Sequence, residues 1–221
     1  MRQIRGVILD VDGTLVNSND AQAHSWVEAM SKYGYAISFE QVRPLIGKGG
    51  DKLLPETIGI SKDSEDGKKI SQEQKKIFMT QYLPTLSAFP CARELLEHMH
   101  ARGLKLAIAT SAQPDELKGL LQVIGPDVQD LFKEETSAKD AKQSKPSPDI
   151  MHATLERIGY SPEQVIMVGD TPYDIESAAK VHVGTIAFRS GGWGDRDLAG
   201  AVAIYNDTAD LLTHYETSPL A

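Results

Sequence analysis

Asp10-Val11-Asp12-Gly13-Thr14-Leu15 follows directly on the apolar run Val7-Ile8-Leu9, and this junction decides how the chain is read. An apolar run that is continuous rather than alternating predicts a strand buried on both faces, over Gly6 to Leu9. Two carboxylates two residues apart then stand where that strand stops. Positions i and i+2 of an extended chain point the same way, so their charges repel unless a cation lies between them. Asp-Gly is a common turn pair, which accounts for Asp12 and Gly13 but leaves Asp10 unexplained. The pair points to a divalent cation and an anionic substrate.

Composition sets bounds around this junction. The chain has 221 residues, 41% apolar, 24% charged and 6% aromatic, which suits one large globular domain or a core with an insert. A formal net charge of -8 argues against non-specific nucleic-acid binding. It does not exclude an anionic substrate, because a local cation inverts the field. The single cysteine, Cys91, permits no intrachain disulfide and lacks a histidine pattern that would activate it. The apolar run behind Met1-Arg2-Gln3-Ile4-Arg5 is too short for a secretory signal, and no stretch approaches the roughly 18 apolar residues of a membrane span. A cytoplasmic protein without a membrane partner is expected.

Beyond Leu15 the period changes from strand to helix. Asn17 or Asn19 would cap a helix with Ala23, Val27 and Met30 on its apolar face, ending near Gly34. Ser38 would cap a short helix to Leu45. The glycine-rich loop Ile46-Gly47-Lys48-Gly49-Gly50 leads to a helix over Leu53 to Ile58, and Ser61 to Leu83 is polar, lysine-rich and helical in period. No strand is expected between 17 and 83. From Phe89-Pro90 onward helices and strands alternate. Helices are predicted over Ala92 to Ala101 and from Pro114 to about Ile124. A further helix is opened by Ser147 and Pro148 and runs to Ile158; others start at Thr171-Pro172 and at Asp207. Strands are predicted over Lys105 to Ala109, just after Phe132, and over Val165 to Val168, Val183 to Phe188 and Ala201 to Tyr205. Such alternation implies an α/β fold, a parallel sheet with helices on both faces. The expected division is a core of residues 1–15 and 85–221 and an all-helical insert of residues 16–84.

Ligands of such sheets bind outside the carboxyl ends of the strands. Asp10, Thr110 and Asp170 each directly follow a predicted strand, so neighbouring strands would bring them to one crevice. A carboxylate there can act as a covalent nucleophile toward a phosphoryl group, and a second acid can protonate the leaving oxygen and then activate water. Hydroxyls such as Thr110 and Ser111 commonly satisfy turns, yet beside a helix N-terminus they also suit phosphate oxygens. Lys145, followed by the rigid run Pro-Ser-Pro, would offset negative charge. Asp170 and Asp174 flank the start of a helix, where acids favour the first turn. Four acids in one crevice call for a cation, and all-oxygen ligands favour Mg²⁺.

The ordered set Asp10-Val11-Asp12-Gly13-Thr14, Thr110-Ser111, Lys145-Pro146 and Gly169-Asp170-Thr171-Pro172-Tyr173-Asp174 resembles the four motifs of the haloacid dehalogenase (HAD) superfamily. The helical insert is similar to the cap of its phosphoglycolate phosphatase and β-phosphoglucomutase group. The resemblance implies a Rossmann-like core with a helical cap domain. It also implies a Mg²⁺-dependent phosphatase acting on a small phosphomonoester, phosphoglycolate-like or sugar-phosphate-like, through an aspartyl phosphate. It makes Asp10 the nucleophile and Asp12 the acid and base. Asp10, Asp12 (through its backbone carbonyl), Asp170 and Asp174 would surround Mg²⁺, and Thr110, Ser111 and Lys145 would hold the phosphate. Gly47 and Lys48 of the insert are the expected specificity element, and Lys48 could bind a substrate carboxylate or a second phosphate. His24 and Trp26 could face the cleft, with helix packing the first expectation. Arg189-Ser190-Gly191-Gly192-Trp193 follows a strand and could border the site, but is expected to be mainly a structural turn. A small phosphorylated metabolite is the implied partner, and a monomer or homodimer the implied state.

Other readings are weaker on residues. True dehalogenases of the superfamily lack the second motif aspartate, present here as Asp12. Phosphonoacetaldehyde hydrolases need a cap lysine that neither Lys48 nor Lys52 clearly matches. A phosphohexose mutase shares all four motifs and stays open. A catalytically silent phosphate-binding module would have lost Asp10, Asp12, Lys145 or Asp170, and none is lost.

Overall fold

The computed structural model describes residues 3–221; Met1 and Arg2, the first residues of the expected core, lie outside the described residues. Six strands form one parallel sheet: β1 (Gly6–Leu9), β2 (Lys105–Ala109), β3 (Phe132–Thr136), β4 (Val165–Gly169), β5 (Gly184–Phe188) and β6 (Ala203–Tyr205), in the order β3-β2-β1-β4-β5-β6. β1 is central. Leu9 lies level with Ile108 of β2 on one side and Val168 of β4 on the other. The strand order reverses at β1, which opens a crevice at the carboxyl ends of β1 and β4, the place where sheets of this topology bind ligands.

The helices are α1 (Asn19–Lys32), α2 (Phe39–Val42), α3 (Gly50–Ile58), α4 (Glu65–Ile77), α5 (Ala92–Ala101), α6 (Pro114–Ile124), α7 (Asp149–Ile158), α8 (Pro172–Ala179) and α9 (Thr208–Thr213). Alternation along β1 divides them. Val7 and Leu9 join Leu95 and Met99 of α5, Leu117 and Leu120 of α6 and Leu211 of α9. Ile8, pointing the other way, joins Ile150 and Met151 of α7 and Ala178 of α8. Both faces of β1 are therefore covered, as its unbroken apolar run requires.

Helices α1, α3 and α4 build an apolar cluster of their own, with Ala23, Trp26 and Met30 of α1, Leu53 and Leu54 of α3 and Ile70 and Ile77 of α4. Val27 is only half-buried. Beyond α4 the helix continues through a π-helical stretch, Phe78–Tyr82.

Three helix starts differ from the sequence reading. α3 begins at Gly50, because extended Gly49 offers its carbonyl to Lys52 N and Leu53 N, each at 3.0 Å. α7 begins after Pro148 rather than at it; the Ser147 hydroxyl binds the Asp149 carboxylate instead of capping the helix. At α1 the cap position falls on Ser18, between the two expected asparagines, and no side chain caps the helix. The polar groups there serve the crevice instead.

Candidate active site

Asp10 follows β1 immediately, its amide bonded to the Val168 carbonyl of β4 at 2.9 Å. The chain then curls into a tight turn. Leu15 N and Val16 N both reach the Val11 carbonyl, and Gly13 N reaches the Val16 carbonyl. Gly13 has φ +73°, and a Cβ there would lie 2.2 Å from both Asn19 Nδ2 and Asp170 Oδ2. Only glycine satisfies both the backbone conformation and the close approach. The turn sends Asp10 and Asp12 to different surroundings.

Asp10 joins Asp170 and Asp174, and one oxygen from each of these three buried carboxylates lies within 4.8 Å of the others. Lys145 is also buried and donates to Asp10 Oδ1 and Asp174 Oδ1, both at 2.7 Å. Asp170 takes Thr14 Oγ1 on one oxygen and Asn19 Nδ2 on the other, each at 2.8 Å. Asp174 Oδ2 accepts from the amide and hydroxyl of Thr171, which closes a reciprocal cap at the start of α8. Three carboxylates against one ammonium leave two negative charges in a buried, all-oxygen cluster, and this donor set fits a hard divalent cation.

Asp12 lies outside that cluster, half-buried on the crevice wall. Its Oδ1 accepts from Ser18 Oγ at 2.5 Å and from Gln22 Nε2 at 3.2 Å. Neutral donors hold it, whereas Asp10 is held by a cation. A cavity of about 300 Å³ opens over both acids, lined from the sheet side by Thr110, Ser111 and Glu116 and from the helical side by Gln22, Trp26, Gly47 and Lys48.

The other expected residues fall as follows. Thr110 is buried and its hydroxyl accepts from Ala112 N at 3.1 Å. Ser111 is half-buried and donates to the Gly47 carbonyl at 3.3 Å, which ties the glycine-rich loop to the sheet edge. Gly47, at φ +105°, lies so close to Thr171 that a Cβ would meet its methyl at 2.8 Å. Lys48 lines the cavity, but its ammonium is paired with Glu56 at 2.6 Å and sits 4.7 Å from the Tyr173 ring centre. Trp26 lines the cavity while packing on Gly50, whereas His24 is exposed and stacks on Phe39. The segment 189–193, expected to be mainly a structural turn, does border the site. Ser190 Oγ donates to the Gly13 carbonyl at 2.7 Å, and a Cβ on Gly191 would fall 2.0 Å from Asp170 Oδ2.

Sequence reasoning missed Thr14, Ser18, Asn19, Gln22, Gln74 and Glu116. For α1 a signal existed. Asn19, Gln22 and Ser25, three residues apart, interrupt the buried face of the helix with polar groups, and all three are buried. For Glu116 there was none, because an acid in the first turn of a helix is ordinary.

Burial lifts the Asp10 carboxyl well above the usual carboxylate range; Lys145 opposes the lift, and the Asp174 and Asp170 charges add to it. Burial also raises Asp12, against the pull of Ser18, Gln22 and Lys145. Asp170 is pushed up to about 7 by burial and by Asp174. Glu116 is pushed to about 7 by burial and by Asp12. For Lys145 burial opposes the charge, but Asp10 and Asp174 outweigh it and the ammonium is held more firmly than usual.

A pH dependence of stability follows. An acid whose folded value exceeds its unfolded value binds more protons in the folded state across the interval between the two. Asp170 and Glu116 therefore make the metal-free protein less stable as pH rises from about 4 to about 7, by on the order of a few kcal/mol together. With a chelator present, the melting temperature is expected to be higher at pH 5.5 than at pH 8, and added Mg²⁺ to narrow the difference. Equal melting temperatures in the chelated protein would contradict this account of the acid cluster.

The chain has counterparts among known proteins. Residues 7–188 match the family model described as haloacid dehalogenase-like hydrolase, and the chain belongs to that family. It is an enzyme of the hydrolase class. Among curated relatives, a phosphoglycolate phosphatase of Rhodospirillum rubrum is 27% identical over 94% of this chain and 89% of that protein. A phosphorylated carbohydrates phosphatase of Thermotoga maritima is 28% identical over 79% and 80%. A solved hydrolase from Pseudomonas syringae superposes with a TM-score of 0.89 at 27% identity, over 96% of this chain and 98% of that one. β-Phosphoglucomutase from Clostridium difficile shares the fold, with a TM-score of 0.84 at 18% identity over 97% and 96%. Among the described residues no helix is long and apolar enough to cross a membrane.

Proposed function

We propose that the protein hydrolyses a small phosphomonoester through an aspartyl phosphate on Asp10, with residues 16–84 acting as a cap over the leaving group. One observation carries this reading. Within a single turn, one acid is charge-paired beside a cation cluster and the next is held by neutral donors at the cavity. These are the surroundings that a nucleophile and a proton carrier respectively need.

Lys145 occupies Asp10 Oδ1, which leaves Oδ2 to attack phosphorus. As the Asp10 O–P bond forms, the ester P–O bond breaks and its electron pair goes to the leaving oxygen. That oxygen takes the proton from the Asp12 carboxyl, whose burial favours the protonated form. The alcohol departs. The Asp12 carboxylate then takes a proton from water, the hydroxide oxygen attacks phosphorus, and the bond to Asp10 breaks, which frees phosphate and restores both acids. Thr110, Ser111 and the backbone N–H groups leading into α6 would bind phosphate oxygens, and Lys145 would offset the developing charge. Mg²⁺, held by the carboxylates of Asp10 and Asp170 with the Asp12 carbonyl and with Asp174 beside them, would neutralise phosphate charge when bound.

The test is phosphate release from a panel of phosphomonoesters with Mg²⁺ and with chelator. Magnesium-dependent release from one or more is expected. No release from any member would end the hydrolase reading. Glucose 1-phosphate belongs in the panel, since its isomerisation without phosphate release would identify a mutase instead.

A further inference from the structure

The steps above leave one buried acid of the cavity without a task. Glu116 stands in the first turn of α6, 6% exposed, on the same wall as Asp12. Its Oε1 accepts from Gln22 Nε2 at 2.5 Å, and that same nitrogen reaches Asp12 Oδ1 at 3.2 Å. A single amide therefore joins the proton-carrying carboxyl to Glu116. Gln22 Oε1 in turn accepts from Gln74 Nε2 at 3.1 Å. Asp12 delivers its proton to the ester oxygen, so the atoms bonded to that oxygen lie against Gln22 and Glu116.

The chemistry of this wall is one-sided. It offers a carboxylate and amides, and two of the lysines that line the cavity are paired with acids outside its lining. Lys48 is paired with Glu56, and Lys75 with Asp115 at 2.6 Å. Lys62 lines this cavity and an adjoining one of about 180 Å³. A buried carboxylate accepts hydrogen bonds strongly and donates none when ionised. It favours hydroxyl groups and disfavours a second anion beside it. A site built to pair a hydroxyl discriminates strongly against a group that cannot pair.

Resting on the phosphatase reading, we propose that Glu116 is a specificity-determining residue: its carboxylate accepts from the hydroxyls of a polyol or sugar leaving group and repels leaving groups that carry a carboxylate next to the ester oxygen. The assignment is independent of the relatives' substrates. It predicts that this chain prefers a hydroxylated ester even over phosphoglycolate.

A matched pair of esters tests this. 2-Hydroxyethyl phosphate and 2-phosphoglycolate differ only in CH₂OH against COO⁻. At pH 8, above the value of about 7 for Glu116, the wild-type kcat/KM should favour 2-hydroxyethyl phosphate by about 10-fold or more, since the two sites differ by one charged contact. Glu116→Gln, which retains the reciprocal bond with Gln113 at the start of α6, should move that ratio toward 2-phosphoglycolate by at least about 10-fold. The ratio is taken within one preparation, so partial loss of folded protein cancels. A wild-type preference for 2-phosphoglycolate, or a ratio unmoved in the variant, overturns the role of Glu116. p-Nitrophenyl phosphate, which has neither group, separates the two failures. If wild type does not cleave it or either ester, the phosphatase reading falls and the assignment with it; if wild type cleaves it, only the assignment is at stake.

Discussion

Asp10→Asn is expected to reduce phosphate release by roughly 10³- to 10⁵-fold, because a neutral amide cannot form the covalent intermediate. The shape of the site should survive. An asparagine oxygen in the place of Oδ1 still accepts from Lys145, now 2.7 Å from Asp10. The substitution also removes one of three carboxylates packed within 4.8 Å, so repulsion in the metal-free cluster falls. The melting temperature in chelator should therefore equal or exceed that of wild type while turnover collapses. Retention of more than a few per cent of wild-type kcat in a folded Asp10→Asn protein would move the nucleophile elsewhere in the cavity.

Lys145→Met should damage both stability and rate. Methionine is near in length and apolar, so packing is largely kept. Asp10 and Asp174, however, lose the only ammonium in contact with them among the described residues, at 1% exposure for Lys145. Breaking a buried ion group by removing one partner costs about 3–5 kcal/mol. Denaturant unfolding at pH 7.5 should show a loss of that order, and at pH 5 the loss should shrink because the Asp10 carboxyl, already raised by burial, then takes up a proton. Turnover should fall by at least about 10²-fold, the usual scale for losing one charge-stabilising group. A variant as stable as wild type at pH 7.5 would mean that Lys145 has no carboxylate charge to offset in the folded protein.

Much of this was legible in the residues because the site lies where strands stop. Continuous apolar runs such as Val7-Ile8-Leu9 and Val165-Ile166-Met167-Val168 announced strands buried on both sides. The polar residues just beyond them had to meet at one end of the sheet. What could not be read were interactions fixed by three-dimensional approach. Asn19 looked like a helix cap, a frequent use of asparagine, and Ser18 was not singled out. In the folded chain the side chains of Ser18 and Asn19 turn to Asp12 and Asp170. Nothing local marks Glu116, an acid in the first turn of a helix, and its burial against Gln22 depends on how α1 is laid over the sheet. Ser190 and Gly191 follow a strand and so could border the site, but they looked mainly like a structural turn because nothing in the local pattern tells which strand end a loop will lean on. The sequence was least informative where a residue's local role and its distant role use the same polar atom.

Helices α1 to α4 keep their own apolar cluster, and part of their fastening to the sheet is polar. Tyr173 donates to the Pro44 carbonyl at 2.6 Å, Arg43 to the Gly191 carbonyl at 2.7 Å, Ser144 N to Asp51 at 3.1 Å and Ser111 to the Gly47 carbonyl at 3.3 Å. Water can replace each of these bonds with little net loss. Phe78 of the π-helical stretch is instead buried in the apolar cluster of the sheet. Polar and apolar surface change heat capacity with opposite signs on wetting. Parting the seam at these polar bonds should therefore be nearly silent in heat capacity, while drawing Phe78 out of its cluster should not. The polar part of the seam would then tolerate cooling better than its Phe78 end.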